Sequence, residues 1–220
     1  MEMKPSIGVK EAIEQRRAAR GFRPDVIPRV ILAEILRLSL HAPSGFNLQP
    51  WRFIVVRDRE NKEKLKACAF NQRQVTEAPV VLICCGDRRV LDPDYIESVI
   101  SLGMKTGAIA DPLAEYMRSS IPKIFENKPS FENIEAWTNR QTMLAVAHLM
   151  IVAKSYGVDS CPMEGFIASE VKAAFNIPEE VDVCCLVPLG YAAEPMKPYG
   201  GRFETSQLVY SETFGQPFHR

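Results

Sequence analysis

The chain has 220 residues, 46% of them apolar and 25% charged, which is enough for one large domain with a sizeable core. Basic and acidic residues both number 27, so no global field favours a nucleic acid or an anionic membrane. The 6 cysteines include no pair of C-x-x-C spacings, and Cys84-Cys85 and Cys184-Cys185 sit in apolar runs, which argues against a zinc site and a disulfide scaffold and for buried thiols in a reducing compartment.

Met1-Glu2-Met3-Lys4-Pro5 lacks the apolar stretch of an export signal, and no later segment is long and apolar enough to span a bilayer, so a cytoplasmic protein is expected. Val9 to Arg20 carries helical spacing, with Glu11 and Glu14 early and Arg16, Arg17 and Arg20 late, an order that suits the helix dipole, and with Gly21 as its stop. These arginines have two readings: caps on a helix C-terminus, or guanidinium forks for a phosphate. Pro28 to His41 reads as a second helix, with Pro28 in its first turn and Ile31, Leu32, Ile35, Leu36 and Leu40 as its apolar face.

The stretch Ala42-Pro43-Ser44-Gly45-Phe46-Asn47-Leu48-Gln49-Pro50-Trp51-Arg52-Phe53 then joins that helix to a strand over Arg52 to Arg57. Pro43 and Pro50 fix φ, Gly45 relaxes it, and a rigid turn leaves backbone groups that must find partners. It is either a tight loop whose Trp51 plugs the core, or a rigid polar rim presented to a flat ligand. Glu60 to Ala69 is a charged surface helix, and Phe70-Asn71-Gln72-Arg73-Gln74 alone reads as a polar loop. Pro79 to Gly86 is a continuous apolar run, the pattern of a strand buried on both faces.

Residues 87–136 are punctuated by prolines, with helices over Tyr95 to Thr106 and Pro112 to Ser120 and loops around Pro122 and Pro129. Tyr116, Phe125 and Phe131 are either lid aromatics or plain packing residues. Asn139 to Tyr156 is the strongest helix, apolar nearly all round, and a dimer interface would give it the cover that one small domain lacks. His148, a lone histidine among apolar residues, reads as packed core without a role, and Gly157 as the C-cap. Cys161-Pro162-Met163-Glu164-Gly165-Phe166 by itself is a turn. A helix over Ser169 to Phe175 and a strand over Val183 to Tyr191 follow, and the tail holds Lys197 and Gly200-Gly201-Arg202. No internal repeat or linker occurs, so residues 1–220 read as one domain.

Three of these stretches resemble the flavin-dependent nitroreductase family. Ala42-Pro43-Ser44 followed by Asn47, Gln49, Pro50, Trp51 and Phe53 looks like its first signature. Ile13, Arg16-Arg17-Ala18, Arg20 and Phe22 look like its N-terminal motif, and Pro162-Met163-Glu164-Gly165 like its second signature. The resemblance covers Ile7 to about Val81 and Asn139 to Arg202. It implies an α+β fold, with a mainly antiparallel sheet of four or five strands surrounded by helices, and an intertwined homodimer with two FMN sites at the subunit interface. Arg16 would bind the FMN phosphate, with Arg202 as a second clamp. Arg17 and Ala18 would line the flavin chain, and Arg20, Asn71 and Gln74 would reach the pyrimidine edge. Pro162 and Met163 would lead into backbone N–H groups of Glu164 and Gly165 that meet N5 and its neighbouring carbonyl. Asn47 joins these cofactor contacts, and Pro43, Ser44 and Gly45 would come from the other subunit.

Residues 87–136 would form an excursion over the flavin, and residues 203–220 would pack on the partner. The implied activity is ping-pong reduction of nitroaromatics, quinones or similar flat acceptors by NAD(P)H. The alternatives are reductive dehalogenation or dehydrogenation of a specialised metabolite, or a non-enzymatic flavin carrier. No side chain is named as acid, base or nucleophile, no metal is implied, and the absence of G-x-G-x-x-G agrees with a transiently bound nicotinamide. The chain departs from the family pattern at Ala18, often serine, at Gln74, often lysine or arginine, and at Gly200, basic in some relatives.

Overall fold

The computed structural model describes residues 4–127, 133–193 and 198–218. At its centre is the apolar run read as a doubly buried strand: β2 (Val80–Asp87) is buried at every position. It pairs antiparallel with β1 (Trp51–Val56) on one side and β4 (Val181–Gly190) on the other, and β4 carries the short β3 (Asp159–Ser160) at the far edge. The result is an α+β fold with a four-stranded, wholly antiparallel sheet in the order β1-β2-β4-β3. A bulge sets Cys84 against Cys185 but Cys85 against Val183, leaving Cys184 as the extra residue.

Alternating side chains give the sheet two faces. Val81, Ile83, Cys85 and Leu186 pack on Leu65 of α3 (Arg59–Cys68), Val75 of α4 (Gln74–Glu77) and Val171 of α8 (Ala168–Ala174). Val80, Leu82, Cys84, Val187 and Leu189 pack on Leu32 and Ile35 of α2 (Arg29–Ser39) and on Val146 and Leu149 of α7 (Ile134–Ser155). Beyond α7, α5 (Pro93–Lys105) and α6 (Asp111–Asn127) form a separate cluster around Trp137 through Ile96, Val99, Ile100, Met117 and Ile121. Trp51 is buried against Ala42 and Ala145, so it does plug the core.

Four expectations need correction. The first helix, α1 (Val9–Gln15), does not reach Arg20: Arg16 is already extended, at φ −60° and ψ 127°. Ala18 instead pairs with Ser160, the Ala19 N–H donates to the Ser160 carbonyl at 3.1 Å, and Phe22 pairs with Ala192. The open sheet edge thus satisfies backbone groups that a longer helix would have satisfied internally, and it also buries Ala19 and Phe22. Second, α6 runs through Pro122 rather than stopping before it. A proline inside a helix costs about 3 kcal/mol, but Ala114, Met117 and Ile121 recur at helical spacing on the buried side, and each large side chain returns about 1.5–3 kcal/mol on burial.

Third, α7 begins at Ile134 instead of Asn139, capped by Asn133, whose Oδ1 accepts the Ala136 N–H at 2.9 Å. Its buried threonines, Thr138 and Thr142, hide the apolar pattern, but their hydroxyls are satisfied by the carbonyls of Glu135 and Cys85. Fourth, His148 is exposed, on the same uncovered stripe as Leu144 and Ala147. Phe131, Pro129 and Lys197 lie outside the described residues, as does the side chain of Phe125. No helix among the described residues is long and apolar enough to cross a membrane.

Candidate functional site

Three segments far apart in sequence meet at one edge of the sheet, on the α3–α8 layer. The first is the extended run from Arg16 to Phe22, held beside Ser160 and against the core through Ala19 and Phe22. The second continues from β3: the Met163 N–H donates to the Leu186 carbonyl at 2.8 Å, and the Leu186 N–H returns the bond at 3.0 Å. Pro162, Met163, Glu164 and Gly165 therefore leave the edge of β4 in a fixed direction. The third is the loop from Phe70 to Gln74, where Phe70 and Asn71 take positive φ, 51° and 54°.

Side chains tie the three together. Gln72 Nε2 donates to the Gly165 carbonyl at 2.9 Å, and Gln74 Nε2 donates to Gln72 Oε1 at 3.0 Å. The Phe22 N–H donates to Glu77 Oε2 at 3.3 Å. Arg73 pairs with Glu77 at 3.8 Å and is engaged away from this relay. Burial pushes the Cys161 thiol up and the charge of Arg20 pulls it back, so Arg20 acts electrically on the second segment. Arg17 stacks on the ring of Tyr199, 4.3 Å from its centroid, and Arg202 on the same ring at 5.2 Å. Arginines from the two ends of the chain are thereby brought to one place.

The donor set suits an anionic ligand with a flat polar head. Arg16, Arg17, Arg20 and Arg202 supply cations from two strands of chain. The N–H groups of Glu164 and Gly165 have no protein acceptor among the described residues. Ser160 Oγ is buried and without a partner there. Gly165 permits close approach: a Cβ on it would stand 2.9 Å from Gln72 Nε2. Sequence reasoning missed Gln72, Ser160 and Tyr199. Gln72 carries a positional signal inside a recognised loop, whereas Tyr199 carries none, because its importance lies in two arginines that the fold brings to it.

The family model described as the nitroreductase family matches residues 13–191. The chain belongs to the nitroreductase family. It is 36% identical over 190 residues to a Thermus thermophilus protein named NADH dehydrogenase, covering 86% of this chain and 89% of that one. Bacillus subtilis YdgI, provisionally named an NAD(P)H nitroreductase, is 32% identical over 192 residues, covering 84% and 88%. A crystal structure from Exiguobacterium sibiricum, in complex with FMN, superposes with a TM-score of 0.85 at 25% identity, covering 96% of this chain and all of the other.

In this nitroreductase-family chain, the remaining site residues lie elsewhere. Pro43, Ser44, Gly45 and Asn47 belong to the α7 layer: the Gly45 N–H donates to Gln141 Oε1 at 3.0 Å, and Gly45 lies close against Trp137. Ser44 Oγ accepts the Gln49 N–H at 2.9 Å, and the Asn47 N–H donates to the Ser44 carbonyl at 3.0 Å. These residues sit across the sheet from the arginine segment and Gly165, so one copy of the chain does not bring the two groups together. Of the four, Asn47 lines a cavity beneath α5 and α6, together with its neighbours Phe46 and Gln49 and with Tyr116.

Proposed function

We propose that two copies of this chain hold two FMN molecules, and that the holoprotein oxidises NAD(P)H and reduces flat, electron-poor acceptors such as nitroaromatics and quinones. Donor and acceptor use the same opening in turn. The observation that carries this reading is the meeting of Arg16 to Arg20, Asn71 to Gln74 and Pro162 to Gly165 at one sheet edge, with Arg17 and Arg202 stacked on one tyrosine. FMN, when bound, would supply hydride acceptance and release, which the side chains of this site do not offer.

The chain's own part is binding and orientation. Arg16 and Arg202 would hold the phosphate through charge-assisted hydrogen bonds, and Arg17 with Ala18 would line the flavin chain. Arg20, Asn71 and Gln74 would address the polar edge of the ring, with Gln74 a neutral donor whose orientation the Gln72 amide fixes. The free N–H groups of Glu164 and Gly165 would fix the ring from one edge and leave one face clear.

Dimerisation is supported by two features of the single chain. The sheet stands between Pro43-Ser44-Gly45 and the arginine segment, so both can touch one flavin only if a second copy supplies one of them. Ile13 on α1, Leu144 on α7, and Phe203, Leu208 and Phe214 in the tail are exposed, a spread of apolar surface that a partner would cover. The test is anaerobic titration of the purified yellow protein with NADH and then NADPH, followed by a quinone. Bleaching by at least one donor and recovery of colour on adding the quinone is the expected result. A flavin that neither donor bleaches would overturn the enzymatic reading.

A further inference from the structure

We propose that Tyr199 is a positioning residue: it carries Arg202, on the C-terminal segment, to the phosphate that Arg16 holds, so that binding a phosphomonoester and seating that segment are one event. The inference rests on the function proposed above, which puts the phosphate of FMN between these arginines. It adds that the anionic end of the ligand, and not its ring, closes the segment from Tyr199 to Phe218 onto the body.

The relay starts on the body of the protein. Where α1 ends, Arg17 Nη1 donates to the carbonyls of Glu14 at 2.7 Å and Arg16 at 2.8 Å. The guanidinium is thereby fixed to the backbone of the residue that addresses the phosphate. The Tyr199 ring centroid lies 4.3 Å from the Arg17 guanidinium carbon, and that of Arg202 lies 5.2 Å from the same centroid. The chain returns to the ring within three residues because Gly201 takes φ 81°, a left-handed conformation that glycine adopts without steric cost. A guanidinium held against a ring face keeps N–H donors in its own plane for an anion.

Two observations set this contact apart from ordinary packing. Tyr199 is 53% exposed, and its hydroxyl has no hydrogen-bond partner among the described residues, so the arginines and not the core hold the ring. Arg23, Arg37, Arg88 and Arg118 each pair with a carboxylate, whereas Arg16, Arg17, Arg20 and Arg202 pair with none among the described residues. Arg17 and Arg202 lie within about 10 Å of each other across one ring, about one Debye length, so salt screens their repulsion only in part. A phosphate dianion turns that repulsion into shared attraction. Beyond the ring the segment lies open, with Phe203 72% and Phe214 91% exposed.

The full-length protein is freed of flavin and treated with chymotrypsin alone, with FMN, with riboflavin, or with inorganic pyrophosphate, which carries an anionic end without a ring. Mass spectrometry reads the rate of cleavage after Phe203. That rate follows the population of the open segment when opening is fast relative to cleavage. By reciprocity, the factor by which the seated segment tightens the ligand is the factor by which the ligand favours the seated segment. Saturating FMN should therefore slow cleavage about three- to tenfold, and riboflavin less than about twofold. Tyr199→Leu should abolish the protection with an unchanged melting temperature of the apoprotein, and Tyr199→Phe, which keeps the ring, should retain it.

Equal protection by FMN and riboflavin, full protection in Tyr199→Leu, or no protection by either FMN or pyrophosphate overturns the inference; a segment held by a partner copy alone would give that result. If FMN does not bind, the parent reading falls. The pyrophosphate arm then still decides: protection of the parent chain and not of Tyr199→Leu supports the coupling, and any other pattern ends it.

Discussion

Replacing Gly165 with alanine tests the site through a contact whose dimensions are known. The added Cβ would lie 2.9 Å from Gln72 Nε2 and 3.8 Å from Phe70 Cδ2, so the Gln72 amide must withdraw. Its 2.9 Å hydrogen bond to the Gly165 carbonyl is then lost, and the Gln74 amide behind it loses its 3.0 Å acceptor. One lost bond is worth about 0.5–1.5 kcal/mol, and leaving buried Gln74 unsatisfied adds about 1–3 kcal/mol where water cannot replace the partner. Against this, a glycine-to-alanine change removes unfolded-state freedom and returns about 0.4–1 kcal/mol. The apoprotein should lose about 2 kcal/mol, a melting shift of about 4–8 °C for a chain of this size. FMN affinity should fall by about tenfold, because the loop and second signature no longer hold one register. Calorimetric melting of the apoprotein and quenching of FMN fluorescence on titration separate the two. A lowered melting temperature with FMN affinity within about twofold of the parent would reduce Gly165 to packing and refute the reasoning.

Tyr199→Leu removes the ring shared by Arg17 and Arg202 and should weaken FMN binding about three- to tenfold; Tyr199→Phe, which keeps the ring, should restore it, both read by fluorescence titration. Asp87 and Asp182 should show opposite pH behaviour. Burial raises Asp87, but the hydrogen bonds of Arg89 and the charges of Arg52 and Arg89 outweigh it, so its carboxyl is held below the usual 3.8. Its stabilisation is complete above 3.8 and is lost as pH falls through the lowered value, so Asp87→Asn should reduce the melting temperature at neutral pH and progressively less in acid. Asp182 is raised by burial, with Arg88 only partly opposing, so its ionisation weakens the fold above that raised value. Asp182→Asn should therefore raise the melting temperature at neutral pH, with the gain shrinking as pH falls. Burial pushes Cys85 and Cys184 up to about 12, so a maleimide at neutral pH should leave both unlabelled in the native protein and label them after unfolding, as mass spectrometry would show.

What could be read from the sequence follows from how local each signal is. The run Val80 to Cys85 can only be a strand covered on both faces, and it is the centre of the sheet. Trp51 and the two prolines around the first signature announced a rigid turn, and the turn is there with its tryptophan buried. The start of α7 was hidden because Thr138 and Thr142 look polar, while their hydroxyls bond to carbonyls that only the fold supplies. Pro122 looked like a helix stop because the local rule is strong, and the packing that overrides it is tertiary. The site divides the same way. Arginines and glycines carry recognisable spacing, whereas Gln72 and Tyr199 act only through what the fold sets beside them.

The failure at Arg16 to Arg20 agrees with the use proposed above for this segment. As a helix, these residues would rise about 1.5 Å each, and the Cα atoms of Arg16 and Arg20 would stand about 6 Å apart. In a fully extended chain, at about 3.3 Å per residue, they would stand about 13 Å apart. The alternation of an extended chain also sets Arg16, Ala18 and Arg20 on one side, with Arg17 and Ala19 on the other. Ala19 is buried in the core, which agrees with that alternation, and Ala18 between the two arginines is exposed and small. A ligand with an anionic terminus at one end and a flat polar ring at the other needs cations at such a separation, with nothing bulky between them. The helical charge order that made the first reading attractive is overruled by pairing with the sheet edge at Ser160, the behaviour expected of the functional segment proposed above.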